Sequence, residues 1–225
     1  MLALSPSGMR RFPDSEVIYL VTQADLSAGR STQAVVSAAI AGGVDVVQLR
    51  EKDRSTRERY ELGRRLRELT RKADVPLIVN DRVDLAAAVD ADGVHLGDED
   101  LPIAAAREQL GPEAIVGRSV STPEAAREAA EEGADYLGVG AVYETSSKDK
   151  DPEKAGIGPE RLRAVREATD LPFVGIGGIT PENAADVVEA GANGVAVITA
   201  ITAAEDPEAA TRTLADAVET GAQRR

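Results

Sequence analysis

The chain has 225 residues, 43% of them hydrophobic, which suffices for one large domain or two small ones around a core of Ala, Val, Leu and Ile. Lys and Arg number 26 against 39 Asp and Glu, and this net charge of −13 repels a phosphate backbone and argues against nucleic-acid binding. With no Cys, no Trp and a single His, the chain lacks disulfides, thiolate metal sites, a cysteine nucleophile, a multi-histidine metal cluster and a stacking surface.

Short apolar runs of β type recur along the chain. The first, Val17–Thr22, precedes a helical pattern over Thr32–Ala41, and the second, Val44–Leu49, precedes one over Thr56–Thr70. Then follow Leu77–Asn80 with Arg82–Val89, Gly93–Leu96 with Ile103–Leu110, and Ile115–Ser119 with Pro123–Glu131. Tyr136–Val142 leads to Pro159–Thr169, Phe173–Gly177 to Pro181–Ala190, and Val195–Thr199 to Pro207–Glu219. Helix starts are marked by Thr122-Pro123, Thr180-Pro181 and Asp206-Pro207, where an N-cap side chain precedes proline, and by the capping-box spacing of Ser55 and Glu58. Gly42, Gly133 and Gly191 mark helix ends, and one step is reused after them: Gly43-Val44-Asp45, Gly133-Ala134-Asp135, Gly191-Ala192-Asn193.

Strand–helix alternation implies parallel strands with right-handed crossovers. Eight units in this length predict an α/β fold, a single (β/α)8 TIM barrel spanning residues 1–225, with loose ends over 1–13 and 220–225. Alternation alone leaves an open sheet as the alternative, though no GxGxxG follows the first strand. No apolar run is long enough for a membrane and no signal-peptide core is visible, so the chain reads as cytoplasmic, with homo-oligomerisation left open.

In such a barrel, chemistry sits at the C-terminal ends of the strands. There the second strand carries Gln48, Arg50 and Lys52 at alternating positions, which share one face of extended chain. The third ends at Asn80-Asp81, the fourth at Gly97-Asp98-Glu99-Asp100 and the fifth at Ser119. After the sixth comes a polar loop with Thr145, Ser146, Ser147 and Lys148; the seventh runs into Gly177-Gly178, and the eighth ends at Ile198-Thr199. Arg50, Lys52 and Lys148 suit phosphate oxygens, Asp81 and Asp100 suit one Mg2+, and the glycine pair suits close backbone approach to a second phosphate. Each feature has a structural reading too: a mouth salt bridge, an N-cap at Asn80-Asp81, a glycine turn, a solvated loop, and packing for His95. Their coincidence at one end of the barrel favours a phosphorylated ligand with a metal.

The motifs Gln48-Leu49-Arg50-Glu51-Lys52, Asn80-Asp81, Asp92 to Leu101, Gly138 to Lys148, Gly175 to Thr180 and Ala196 to Ile201 resemble, in order, those of the thiamine phosphate synthase family. That resemblance implies a transferase of thiamine biosynthesis. It would join hydroxymethylpyrimidine pyrophosphate to a thiazole phosphate, plain or carboxylated, releasing pyrophosphate through a pyrimidine-methyl cation. It further implies pyrimidine-pyrophosphate contacts at Gln48, Leu49, Arg50, Glu51, Lys52, Asn80, Ser119 and Lys148, with Arg50, Lys52 and Lys148 as the catalytic cations. Mg2+ would be held by Asp81 and Asp100, and the thiazole phosphate by Thr145, Ser146, Ser147, Gly178, Ile198 and Thr199. Ser147, Thr199 and Glu144 depart from the commoner Thr, Ser and Pro, which touches loop rigidity more than hydroxyl chemistry. The alternatives are a thiazole tautomerase of the same barrel, a thiazole-phosphate-binding regulator and another phosphate-binding barrel. The first two would not need the pyrophosphate clamp, and the third lacks its inner Lys and Glu pattern here.

Overall fold

The computed structural model describes residues 11–145 and 156–225. Among them, strands β1 (Val17–Val21), β2 (Val46–Leu49), β3 (Leu77–Asn80), β4 (Gly93–Leu96), β5 (Ile115–Val120), β6 (Tyr136–Gly140), β7 (Phe173–Ile176) and β8 (Gly194–Val197) pair in parallel in chain order. β8 pairs with β1 in the register Val17 with Gly194 and Tyr19 with Ala196, and the sheet closes into a barrel. The open-sheet alternative is thereby removed. Outside lie α1 (Thr32–Ala41), α2 (Thr56–Ala73), α3 (Val83–Val89), α4 (Ile103–Leu110), α5 (Pro123–Glu131), α6 (Gly158–Ala168) and α7 (Pro181–Glu189). A single turn, α8 (Thr199–Thr202), and the long α9 (Pro207–Gln223) complete the ring.

The caps explain where the helices begin. Ser55 and Glu58 form the reciprocal capping box at α2, Thr122 Oγ1 accepts from Ala125 N–H at α5, and Asp206 accepts from Glu208 and Ala209 N–H at α9. The first helix ends at Gly42 as expected, and the residue with positive φ is the next one, Gly43 (φ +93°). Gly42 also serves packing, since a Cβ there would sit 2.6 Å from the Glu208 carbonyl oxygen of α9.

The reused Gly-x-Asp/Asn step builds a clasp. Asp45 N–H donates to Ile18 O while Asp45 Oδ2 accepts from Ile18 N–H at 2.8 Å. The same two-bond pattern recurs between Leu77 and Asp92, Val116 and Asp135, and Phe173 and Asn193. Each copy joins an odd strand to the even strand that follows it, satisfying a strand N–H at the first or second position of the odd strand. The repeat therefore pins the bottom of the barrel at four places and keeps the register that sets the opposite rim.

Two apolar layers result. The outer one, between strands and helices, holds Leu20, Val47, Leu49, Leu66, Val79, Leu137 and Phe173 among others. The inner one fills the barrel with Val17, Tyr19, Val46, Ile78, Ile115, Tyr136, Val174 and Ala196. Both expected loose ends are partly tied down. Phe12 is buried and stacks on Tyr136 with ring centroids 3.9 Å apart, closing the barrel floor. α9 continues to Gln223, and Arg225 donates to the Val188 and Ala192 carbonyls.

Candidate active site

At the rim, alternation along β2 divides the Gln48–Lys52 segment. Gln48 faces inward, where its Nε2 donates to the Tyr19 hydroxyl at 2.8 Å, while Leu49 joins the outer layer. Arg50 is buried on the mouth side, with its N–H on Thr22 Oγ1 (3.0 Å) and Nη1 on Gln23 Oε1 (2.8 Å). Glu51 turns outward, accepting from Ala24 N–H and from the Thr32 hydroxyl. Lys52 returns to the mouth, its side chain 51% exposed and its Nζ 3.2 Å from Asp81 Oδ2. Three of the five side chains thus face the mouth, as their spacing predicts.

Asp81 follows β3 directly and occupies the left-handed region (φ +63°), a conformation Asp tolerates better than most side chains. Its N–H donates to His95 O on β4, which fixes the turn to the neighbouring strand. Asp100 Oδ2 accepts from Gly97 N–H at 2.6 Å. Burial raises the Asp100 pKa, and the negative charge of neighbouring Asp81 adds to the rise while Lys52 opposes it. Two carboxylates with excess local negative charge, open on one side, form a donor set that fits Mg2+, which commonly takes one or two carboxylates and fills its shell with phosphate oxygens and water. Among the described residues, no group of three or more His, Cys, Asp or Glu side chains is arranged to hold a metal by itself.

Asn80 and Ser119 lie at the same level, Asn80 beside His95 in the β3–β4 register and Ser119 with its Oγ 2.9 Å from His95 Nε2. His95 is therefore an inward-facing mouth residue as well as a packing one. Arg118, next to Ser119, donates to Gly97 O and pairs with Asp98 at 3.6 Å, steadying the loop that carries Asp100.

Across the mouth, a cavity of about 480 Å³ is lined by Glu144, Thr145, Gly177, Gly178, Ile198 and Thr199 among others. Four residues assigned to the thiazole phosphate, Thr145, Gly178, Ile198 and Thr199, are thus brought together. Thr199 was expected to end a strand; it instead begins the short helix α8, whose first N–H groups lack partners within the helix. Gly178 (φ +62°) has a further duty, because a Cβ there would lie 2.5 Å from the Glu144 carbonyl oxygen. The glycine lets the β7 loop touch the β6 loop, and does not merely leave room for a ligand. Ser146, Ser147 and Lys148 lie outside the described residues.

The family model for thiamine monophosphate synthase matches residues 18–201, from β1 through both halves of this mouth to α8. The chain belongs to that family. The thiamine-phosphate synthase of Natronomonas pharaonis is 74% identical over 202 residues, covering 90% of this chain and 94% of the relative. That of Haloarcula marismortui is 65% identical over 205 residues, covering 91% and 97%. Among solved structures, thiamine phosphate pyrophosphorylase from Pyrococcus furiosus superposes with a TM-score of 0.84 at 43% identity, covering 93% of this chain and 98% of that one.

Within this thiamine monophosphate synthase family member, reading by motif missed the supporting residues. Gln23 and Thr22 orient Arg50, Arg118 holds the Asp100 loop, and Tyr19 and Tyr136 lie beneath Gln48 and His95. The inward parity of Tyr19 on β1 and Tyr136 on β6 was a usable signal, since phenols among aliphatic barrel residues need partners.

Proposed function

We propose that this chain is a thiamine-phosphate synthase, an Mg2+-dependent transferase that condenses 4-amino-2-methyl-5-(diphosphooxymethyl)pyrimidine with 4-methyl-5-(2-phosphoethyl)thiazole, plain or carboxylated. The products are thiamine phosphate and pyrophosphate. The observation that carries the reading is that cations and two carboxylates at the ends of β2–β4 face a cavity of about 480 Å³ at the ends of β6–β8 across one mouth. A tautomerase or a thiazole-phosphate-binding regulator would use the cavity but not the carboxylate and cation cluster. We assign the reaction to the cytoplasm, where phosphorylated substrates that do not cross membranes are retained.

In this reading Arg50, Lys52 and Lys148 bind the pyrophosphate, and Gln48, Asn80 and Ser119 orient the pyrimidine half. Leu49 and Glu51, whose side chains turn outward, contribute backbone groups. Asp81 and Asp100 would hold Mg2+, which when bound supplies further positive charge to the leaving pyrophosphate. Arg50, preoriented by Gln23, stabilises the negative charge that grows on the leaving oxygens as the carbon–oxygen bond breaks. The pyrimidine-methyl cation left behind is stabilised by its electron-rich ring. Thr145, Ser146, Ser147, Gly178, Ile198 and Thr199 hold the thiazole phosphate so that the ring nitrogen meets that carbon, and positioning replaces a nucleophile or general base of the protein. The test is direct: incubate the protein with both phosphorylated halves and Mg2+, and assay thiamine phosphate and pyrophosphate. Absence of both products overturns the assignment.

A further inference from the structure

Beneath the mouth, five polar side chains from five strands form an unbroken hydrogen-bonded chain across the barrel interior. Gln48 Nε2 meets the Tyr19 hydroxyl at 2.8 Å, and that hydroxyl meets the Tyr136 hydroxyl at 2.8 Å. The Tyr136 hydroxyl meets His95 Nδ1 at 2.9 Å, and His95 Nε2 meets Ser119 Oγ at 2.9 Å. We propose that this chain is directional: it holds His95 as the neutral Nε2–H tautomer and turns the Ser119 hydroxyl proton towards the mouth, as a donor to the pyrimidine-pyrophosphate substrate. The role given to Ser119 rests on the function proposed above; the tautomer does not.

The direction follows from counting protons. An amide nitrogen donates and does not accept, so the Tyr19 oxygen receives the Gln48 proton. Tyr19 has one proton of its own, and the hydroxyl facing it is Tyr136. Tyr136 in turn directs its single proton to His95 Nδ1, which must then be bare. A neutral imidazole with bare Nδ1 carries its proton on Nε2, and that proton points at Ser119 Oγ. The hydroxyl proton of Ser119 is not consumed by the chain. Gln48 and Ser119, both assigned to the pyrimidine seat, are therefore the two ends of one relay, with Tyr19, Tyr136 and His95 as positioning residues between them.

The surroundings are built for this arrangement. Tyr19 and Tyr136 are fully buried, and burial holds both phenols above their usual range, so each keeps its proton to donate. Two inward glycines make room for the rings. A Cβ on Gly117 would lie 2.2 Å from Tyr136 Cζ, and one on Gly138 would lie 3.1 Å from His95 Cε1. Phe12 stacks on Tyr136 within 5° of parallel and fixes its plane from below. The rings have little freedom to choose other partners.

The chain has a single histidine, so the tautomer can be read without assignment. The full-length protein, labelled with 15N-histidine, is recorded by two-bond 1H–15N correlation at mildly alkaline pH. The expected spectrum is that of the neutral Nε2–H form. An Nδ1–H spectrum means that the Gln48 amide is turned over and the chain runs backwards, and it overturns the proposal, as does a doubly protonated ring. Tyr136→Phe keeps the ring stacked on Phe12 but removes the hydroxyl that donates to Nδ1, and Tyr19→Phe removes the step before it. Each is expected to give a mixed-tautomer spectrum and about a tenfold loss of kcat with an unchanged KM for thiazole phosphate. In a Ser119→Ala background, Tyr136→Phe should cost much less, because the relay no longer ends on a hydroxyl. Wild-type-like spectra in both phenylalanine variants also overturn the proposal. Nε2–H in a protein that makes no thiamine phosphate would remove the proposed function and the substrate role of Ser119 while leaving the chain's polarity standing. Full turnover with Nδ1–H would remove the chain's polarity and the donor role of Ser119 while leaving the proposed function standing.

Discussion

The Lys52 ammonium lies 3.2 Å from the Asp81 carboxylate, and the pKa of Asp100, raised by burial, is raised further by the charge of Asp81. Half-exposed ion pairs contribute little to stability, on the order of 0–1 kcal/mol, so the pair is poorly explained as a fold-holding contact. It is better explained as a carboxylate site whose negative charge a lysine balances until a metal and a phosphate arrive. The prediction is that Asp81→Ala abolishes most turnover while shifting the thermal midpoint little. EDTA should silence the wild type and added Mg2+ restore it. Full activity in EDTA, measured as pyrophosphate release, would remove the metal assignment.

Arg50 gives a second expectation. It is buried, and Gln23 and Thr22 hold both its guanidinium and its backbone in place. Arg50→Ala should weaken pyrimidine-pyrophosphate binding by about 1.5–3 kcal/mol, the usual worth of a charge-assisted hydrogen bond. Affinity for thiazole phosphate should hardly change. Calorimetric titration of each ligand into the variant separates the outcomes, and equal weakening of both would mark Arg50 as structural.

Much of this architecture was legible because periodicity and caps are local. Strand alternation put Gln48, Arg50 and Lys52 on one face, and the Ser55–Glu58 and Thr122-Pro123 signals fixed helix starts. Contacts between strands distant in sequence were not legible. The Tyr19–Tyr136 hydroxyl pair spans 117 residues, and no local pattern announces it. The clasp role of Asp45, Asp92, Asp135 and Asn193 also stayed hidden, although three copies of its motif were visible, because the accepting carboxylate serves a strand in another unit. Phe12 looked like part of a loose end because its partner, Tyr136, lies far along the chain.

The cavity side of the mouth gives a third expectation, altered by what surrounds Gly178. Since a Cβ there would strike the Glu144 carbonyl, Gly178→Val should lower stability as well as thiazole-phosphate affinity and is a poor probe of the phosphate alone. Thr199 is exposed in the cavity at the start of α8. Thr199→Val keeps the side-chain shape and deletes the hydroxyl. The KM for thiazole phosphate should rise by about 0.5–1.5 kcal/mol in binding terms, while pyrimidine-pyrophosphate binding stays put. Steady-state kinetics with each substrate varied in turn checks this, and a change confined to the pyrimidine substrate would move Thr199 to the other seat.

The last expectation concerns the barrel floor. Three of the four clasps are made by carboxylates, and an arginine reaches two of these: Arg67 pairs with Asp92 at 2.7 Å and Arg107 with Asp135 at 2.8 Å. Among the described residues no arginine pairs with Asp45. Burial pushes its pKa up from 3.8 to about 6; Glu16 nearby adds to the rise, and the Ile18 N–H only partly opposes it. The folded state therefore binds a proton more tightly than the unfolded chain. Below the unfolded value Asp45 is protonated in both states and has no effect. As pH rises from about 4 to about 6, the unfolded state loses its proton first, and stability falls by up to about 3 kcal/mol, then levels off. The fourth clasp shows the remedy, because Asn193 accepts from Phe173 N–H with a neutral amide. Asp45→Asn should keep the Ile18 bond and remove the loss, so the variant gains on the wild type across that interval and stays ahead above it. Denaturant unfolding of both proteins from pH 4 to pH 7 measures the difference. A difference independent of pH would mean that the Asp45 carboxylate pays no penalty for its burial, and a variant less stable at every pH would mean that the clasp needs the charge.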